Sequence, residues 1–438
     1  MIADPLVFVR CVHFAATAVA SGTAGFIVLV AEPASRKSGP AGFAILRRQL
    51  VMVTWGALAL AVLSGAAWLV LLASDLLGAS LADICLHGGA WPVLADTRFG
   101  IVWCARLLLA LLLGLLLPWP AMRTIQLAAA AGLMALPALV GHAGATPGAA
   151  GNIHLVSDMV HLMAAGAWLG GLPAFVLVLR HAGLSEERTW PKFAIRMTHR
   201  FSVLGILSVG ALLASGIVNS WNLLGGPRDL LATDYGRLVA LKIGLFVAMV
   251  ATATVNRFYL TPRLPDLRAL RALERNSLAE IGLGLCVLLF VGMLGTLPPS
   301  AHVHPTATAI PPDAAYVHIH TAEAMADVTI DPGRTGQVEV TIRVSREDFS
   351  RFPAKDVRLS LDPPKGLDPP KGLDPPKGLD APKGGVQAPD RAAVEQTDGN
   401  WLVHAAELAA PGIWTVRVIV TPVRGEPIVL DAPIVIER

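Results

Sequence analysis

Long apolar runs constrain this chain more than any other feature. Leu107–Leu117 and Ile281–Leu297 are too long and too unbroken for the core of a water-soluble domain. A helix that crosses the hydrocarbon of a bilayer needs about 20 apolar residues. By that rule the sequence holds about eight spans, near residues 5–30, 45–74, 98–118, 122–142, 153–179, 201–223, 236–256 and 278–298. With 54% hydrophobic and 15% charged residues, residues 1–300 read as an all-α polytopic membrane bundle. The first run has no basic stretch before it and is too long for the apolar region of a cleaved signal, so it is expected to remain as a span.

The basic residues orient the bundle. Arg36, Lys37, Arg47 and Arg48 follow the first run, Arg123 the third, Arg180 to Arg200 the fifth and Arg257 to Arg275 the seventh. Loops rich in Lys and Arg stay in the cytoplasm, which places both termini outside. The net charge of +3 then reflects topology and gives no reason to expect nucleic-acid binding.

The bundle contains an internal repeat. His13 and Gly22 recur at the same spacing as His161 and Gly170; Phe43-Ala44-Ile45 recurs as Phe193-Ala194-Ile195. Ser64-Gly65 with Trp68 returns, less well spaced, as Ser215-Gly216 with Trp221. Thr97-Arg98-Phe99-Gly100 before Arg106 matches Thr233-Asp234-Tyr235-Gly236 before Lys242. Gly141-His142 ends the fourth span and His302-Val303-His304 the eighth. These pairs predict two parallel four-helix repeats, about 5–142 and 153–304, an arrangement frequent in transporters.

Polar groups in a bilayer are costly and usually functional. His142, His154, Asp158 and His161 cluster at the outer mouth of the fifth span, and His13 is the counterpart of His161. On one helix His154, Asp158 and His161 share a face. The two histidines stand about 10 Å apart along the axis, too far to hold one ion together. Asp158 can ligate a metal itself or accept the N–H of a ligating histidine. For His161 three roles stay open: metal ligand, structural hydrogen bond between helices, or haem ligand. Arg106 and Lys242 have no lone pair to give and are read as anchors, as partners of an acid, or as cations that shape an ion's path. Met159 and Met163 flank His161 and suit Cu(I), or simply pack; Cys11, two residues before His13, has the same two readings. The four cysteines show no C-x-x-C spacing, so no disulfide framework is expected.

Together, Gly141-His142-Ala143, the His154/Asp158/His161 group leading to Trp168-Leu169-Gly170-Gly171, and Tyr235-Gly236-Arg237 followed by Lys242 resemble the CopD/PcoD family of bacterial copper-resistance inner-membrane proteins. The resemblance covers about the first 300 residues. It implies an eight-helix protein that moves copper, often with a periplasmic CopC-like copper-binding partner.

After a linker at 301–315 the pattern changes to alternation with period two, as in Val338, Val340, Ile342 and Val344 and again in Trp414, Val416, Val418 and Val420. Residues 316–438 therefore read as a small all-β sandwich domain. With Tyr316–Thr321 at its start, this part resembles the YtkA-like domains fused to some members of the family. On a strand His318 and His320 share a face about 7 Å apart, suited to one ion, or are simply exposed. The repeated Leu-Asp-Pro-Pro-Lys-Gly units of 361–384 read as an extended surface loop.

The expected function is copper transport or homeostasis at the inner membrane, without catalysis. His302, His304, His318 and His320 would gather the ion; His142, His154, Asp158 and His161, with His13 opposite, would pass it into the bundle. Two other readings stay open: a di-haem b-type electron-transfer protein, and a copper sensor or assembly protein without flux. The haem reading needs axial pairs near both membrane faces, and the cytoplasmic side offers only His181 and His199.

Overall fold

The structure, a computed structural model of the chain, describes residues 4–77, 80–86, 88–141, 148–187, 189–224, 226–297, 311, 313–321, 324–346, 351–364, 390–423 and 425–437. It divides into a unit that carries the helical spans and a unit formed chiefly by the chain from Pro305 onward.

Among the described residues eight helices are long and apolar enough to cross a membrane: Pro5–Arg36, Phe43–Asp75, Arg98–Leu116, Pro120–Leu139, Gly151–Leu184, Trp190–Leu223, Asp234–Arg263 and Leu267–Leu294. In lipid the backbone has no water to bond, so helices that satisfy their own N–H and C=O groups are the stable form. The starts are written locally. Asp4 accepts from the amide of Leu6 at 2.8 Å, ahead of Pro5. Thr97 and Thr233 each accept from the glycine amide three residues on, at 3.1 and 3.0 Å. Asp266 caps the eighth span through the amide of Ala269. Large apolar side chains such as Ile45, Leu63, Leu108, Leu207 and Val247 lie on the outside, where a bilayer would cover them.

The first and fifth spans form the centre: 72% and 61% of their apolar stretches are buried, against 17% for the seventh. They cross with backbone against backbone. A Cβ on Gly22 would strike the Gly166 carbonyl and Gly170, and one on Gly170 would strike the Ala18 carbonyl. Small residues permit this approach. Phe43 and Phe193 also stack edge to face, with centroids 5.5 Å apart. In both contacts a residue meets the one at the matching place of the sequence repeat. Gly284 and Gly292 bring the eighth span against Leu169 and Val7 in the same way.

The connections after odd-numbered spans meet at one end of the bundle. Glu187 accepts from the amide of Ala41 at 3.0 Å, Arg47 donates to the Leu117 carbonyl at 3.2 Å, and Arg180 pairs with Glu274 at 2.7 Å. The basic residues that follow odd spans therefore share a single face.

The second unit is a sandwich of two antiparallel sheets. Its described strands are β1 Ala315–His320, β2 Met325–Asp331, β3 Gly336–Ser345, β4 Ala354–Asp362, β5 Arg391–Ala392, β6 Val394–Glu395, β7 Trp401–Leu408, β8 Gly412–Pro422 and β9 Ile428–Ile436. The sheet orders are β1-β2-β3-β7-β6 and β5-β4-β8-β9. The alternating residues Val338, Val340, Ile342, Val416, Val418 and Val420 point inward with Trp401 and Trp414. The proline-rich repeat connects β4 to β5, and from Lys365 it lies outside the described residues, as does most of the 301–315 linker.

At the start of this unit His318 stands opposite Asp327 in the β1–β2 register. Its Nδ1 lies 2.6 Å from Asp327 Oδ1, and the Tyr316 hydroxyl donates to the same oxygen. Burial by itself raises the Asp327 carboxyl, but the bonds from His318 and Tyr316 outweigh it and hold the group below the usual carboxylate range. Burial, then the bond to Asp327, pushes the Tyr316 phenol up.

Two outcomes follow from this packing. Gly170→Val should cost about 3 kcal/mol or more through overpacking and abolish the monodisperse peak in size exclusion, whereas Gly244→Ala, which meets open space, should leave it intact. A carboxyl held low in the folded state stabilises above its unfolded pKa, and that contribution is lost as pH falls through the folded value. The calorimetric transition of the strand unit should therefore weaken on acidification, and Asp327→Asn should make it less pH-dependent.

Candidate metal centre

In the first half, the first span presents His13, which is buried. Its Nδ1 lies 2.9 Å from the Ala61 carbonyl and 3.3 Å from Ser64 Oγ, both on the second span. A carbonyl can only accept, so Nδ1 carries the hydrogen and the neutral ring has its lone pair on Nε2. That Nε2 is buried and has no hydrogen-bond partner. A cavity of about 30 Å³, lined by His13, Thr17, Trp103 and Arg106 among others, offers room for a water-sized guest.

The second half repeats the construction. His161 Nδ1 lies 3.0 Å from Ser215 Oγ on the sixth span, and that hydroxyl donates to the Ala211 carbonyl at 2.6 Å. With its hydrogen committed, Ser215 accepts from His161, so the lone pair again falls on Nε2. Ser64 has the same habit, donating to the Leu60 carbonyl at 2.6 Å. The glycine after each serine faces the imidazole: a Cβ on Gly65 would crowd it, at 3.1 Å from His13 Cε1, whereas one on Gly216 would make an ordinary contact, at 3.7 Å from His161 Cε1.

The two sites differ in charge. Arg106 is buried beside His13 and donates to Thr17 Oγ1 at 3.2 Å. At the equivalent place Lys242 lies within electrostatic reach of both His161 and Asp158. Asp158 accepts from Asn219 Nδ2 at 3.0 Å. It has therefore gained a cation and an amide as neighbours, and the N–H of His161 goes to Ser215 instead of to this carboxylate. Where the first-half site, among the described residues, has a cation alone, the second half has a cation with a carboxyl group in its neighbourhood. Trp68 packs on His13 with centroids 5.5 Å apart, while Trp221 is 85% exposed, so those two tryptophans do not correspond.

The remaining expected site residues scatter. His154 is 2% exposed, a buried residue and not a solvated one at the span's end. Met159 and Met163 are half-buried next to His161, and Cys11 is half-buried close to Cys286 of the eighth span. The hydrogen bonds and ring contacts of His13 described above are with its own half, and the hydrogen bond of His161 is likewise with its own half. His142, His302 and His304 lie outside the described residues, and for His320 only the backbone position opposite Met325 is described. Among the described residues no three His, Cys, Asp or Glu side chains converge as a metal shell.

Sequence reasoning noticed the Ser-Gly repeat without attaching it to the histidines. It missed Asn219, and it missed Glu280 of the eighth span, which is 2% exposed and accepts from Asn256 Nδ2 at 2.7 Å. A lone acid among apolar residues, at Leu278-Ala279-Glu280-Ile281, was the available signal.

Comparison with known proteins agrees with this architecture. The family model for the N-terminal domain of copper resistance protein D-like proteins matches residues 1–152, and the model for copper resistance protein D matches residues 195–294. His154, Asp158 and His161 fall between the two matched stretches. The chain is 30% identical to inner membrane protein YebZ of Escherichia coli over 304 residues, 68% of this chain and all of that one. It is 26% identical to copper transport protein CutJ of Bacillus subtilis over 62% of this chain and half of that one. It is 30% identical to copper resistance protein D of Pseudomonas syringae pv. tomato over 47% of this chain and 71% of that one. No solved structure matches the chain. This chain is a multi-pass membrane protein that belongs to the copper resistance protein D family.

Proposed function

We propose that the protein carries copper across the bacterial inner membrane, with the ion as its substrate and His13 and His161 as the paired groups that receive it. The observation that supports this most is the imidazole fixed in the same way twice: Nδ1 is committed to the Ala61 carbonyl beside Ser64 in one half and to Ser215 in the other, which leaves the lone pair on Nε2 in each. Imidazole nitrogen is a good copper ligand, and the thioethers of Met159 and Met163 beside it favour Cu(I). An oriented imidazole is also a better ligand than a free one, because its second nitrogen is already bonded.

In this reading the halves have different tasks. Asp158 supplies negative charge one turn from His161, so the second half holds the cation more tightly, with His154 a further turn outward. Arg106 makes the first half a weaker station from which an ion leaves readily. Both histidines lie away from the basic connection face, and the positive-inside rule then puts them toward the periplasm, with both termini on that side. His302, His304, His318 and His320, together with His142, gather copper there, from the free ion or from a CopC-like carrier protein. Asp327 fixes His318 as the serines fix the membrane histidines.

Copper uptake into proteoliposomes tests the proposal. His161→Ala should lower uptake sharply, and Ser215→Ala should weaken copper binding about tenfold while leaving size-exclusion behaviour unchanged. Wild-type vesicles that bind copper but move none would instead indicate a sensor or assembly protein. Stoichiometric haem with a Soret band in the purified protein would overturn the copper reading.

A further inference from the structure

Beyond the histidine sites the helical unit encloses a second polar centre. Glu280 of the eighth span accepts from Asn256 Nδ2 at 2.7 Å, and the Trp168 indole lies beside it on the same cavity wall. Asn256 is held in that orientation by Asn276, whose amide donates to Asn256 Oδ1 at 2.8 Å. Around them lies a cavity of about 330 Å³ between the fifth, sixth, seventh and eighth spans. It extends from Gly205 and Val209 near the middle of the sixth span to Thr261, where the seventh span ends at the basic connection face.

The chemistry of the centre narrows its ligand. A metal cation takes several oxygen lone pairs directed at one point. The identified partners of Glu280 are N–H donors, which point hydrogens at the carboxylate and would repel a metal. A proton needs one carboxylate oxygen and access to water, and ionisable residues inside membranes mark proton relays. Of the residues lining the cavity, Glu280 on the eighth span and Arg257 on the seventh are the titratable or charged ones; the fifth and sixth spans contribute none. Arg257 donates to Ser202. Toward the connection face the nearest acid on the eighth span, Glu274, is paired with Arg180.

The centre is also joined to the copper-receiving helix. His154, His161 and Trp168 follow one another at intervals of seven residues, so they share a face of the fifth span. Trp168 stands about 10 Å along the axis from His161 and lines the same cavity as Glu280, with its indole toward the carboxylate. The first half has no counterpart, since the fourth span Pro120–Leu139 contains no acid.

We propose that Glu280 is a proton-binding site, filled through this cavity from the basic connection face, and that its proton is exchanged as copper passes His161. Hydronium in the cavity gives its proton to a carboxylate oxygen, an O–H bond forms, and water remains; release reverses the step. Loss of the negative charge weakens the bond from Asn256 and the attraction of the Trp168 indole, and so loosens the anchoring of the fifth span. The coupling rests on the transport reading, whereas the proton site stands without it.

Two measurements on the full-length protein separate these parts. Infrared difference spectra between acid and alkaline buffer should show a protonated-carboxyl band in the wild type that disappears in Glu280→Gln, while Trp168→Phe, which removes only the indole N–H donor, moves its midpoint. In proteoliposomes with an internal pH dye, a copper gradient should move protons with the wild type and none with Glu280→Gln, and Glu280→Asp should restore part of the flux. A band that persists in Glu280→Gln, or proton movement equal to wild type in that variant, overturns the proposal. A band that behaves as expected in vesicles that carry no copper upholds the proton site and overturns both the coupling and the transport reading.

Discussion

The contact of the first and fifth spans, glycine backbone against glycine backbone, is the constraint from which the helical unit is built. Without side chains at Gly22 and Gly170 the two central helices reach van der Waals contact along their backbones, and the fourth and eighth spans pack on that pair. In lipid the hydrophobic effect does not drive helices together, so close packing has to supply the association. The same crossing sets His13 and His161, nine residues before those glycines, on the two sides of the junction. Their equivalence is thus a consequence of how the halves adjoin.

Placing polar groups inside such a bundle costs several kcal/mol unless they are partnered. The structure meets this cost differently in its two halves. Arg106 is bonded to Thr17 and placed near an imidazole. Lys242 has Asp158 within reach, and Asp158 has Asn219. Glu280 is surrounded by amide and indole donors. In the first half the acid Glu32 is paired with Arg47, whereas Asp158 and Glu280 of the second half have amide donors as their hydrogen-bond partners.

Much of this was legible in the sequence, for a definite reason. Hydrocarbon imposes a length and a composition on each span, and both can be counted along the chain, so eight helices and the change to β alternation near Ala315 were apparent. Repeat spacing identified His13 with His161 and Arg106 with Lys242. It failed for Trp68 and Trp221, because one packs on the imidazole and the other faces outward. Asp158 was expected either to ligate or to orient a histidine. Which nitrogen bonds to which oxygen depends on interhelical distances that no spacing within one helix reveals, and Ser215 took that bond.

By itself the sequence determined the class of the molecule, its number of spans, its charge asymmetry and its duplicated plan, since each is a local property repeated along the chain. Tertiary structure alone decided that the Ala61 carbonyl and the Ser215 hydroxyl set the imidazole tautomers, that each histidine bonds to the next span of its own half, and that Glu280 meets Trp168 beside a cavity. These are contacts between spans many residues apart. They exist because helix packing brings particular faces together, and hydropathy does not record which faces meet.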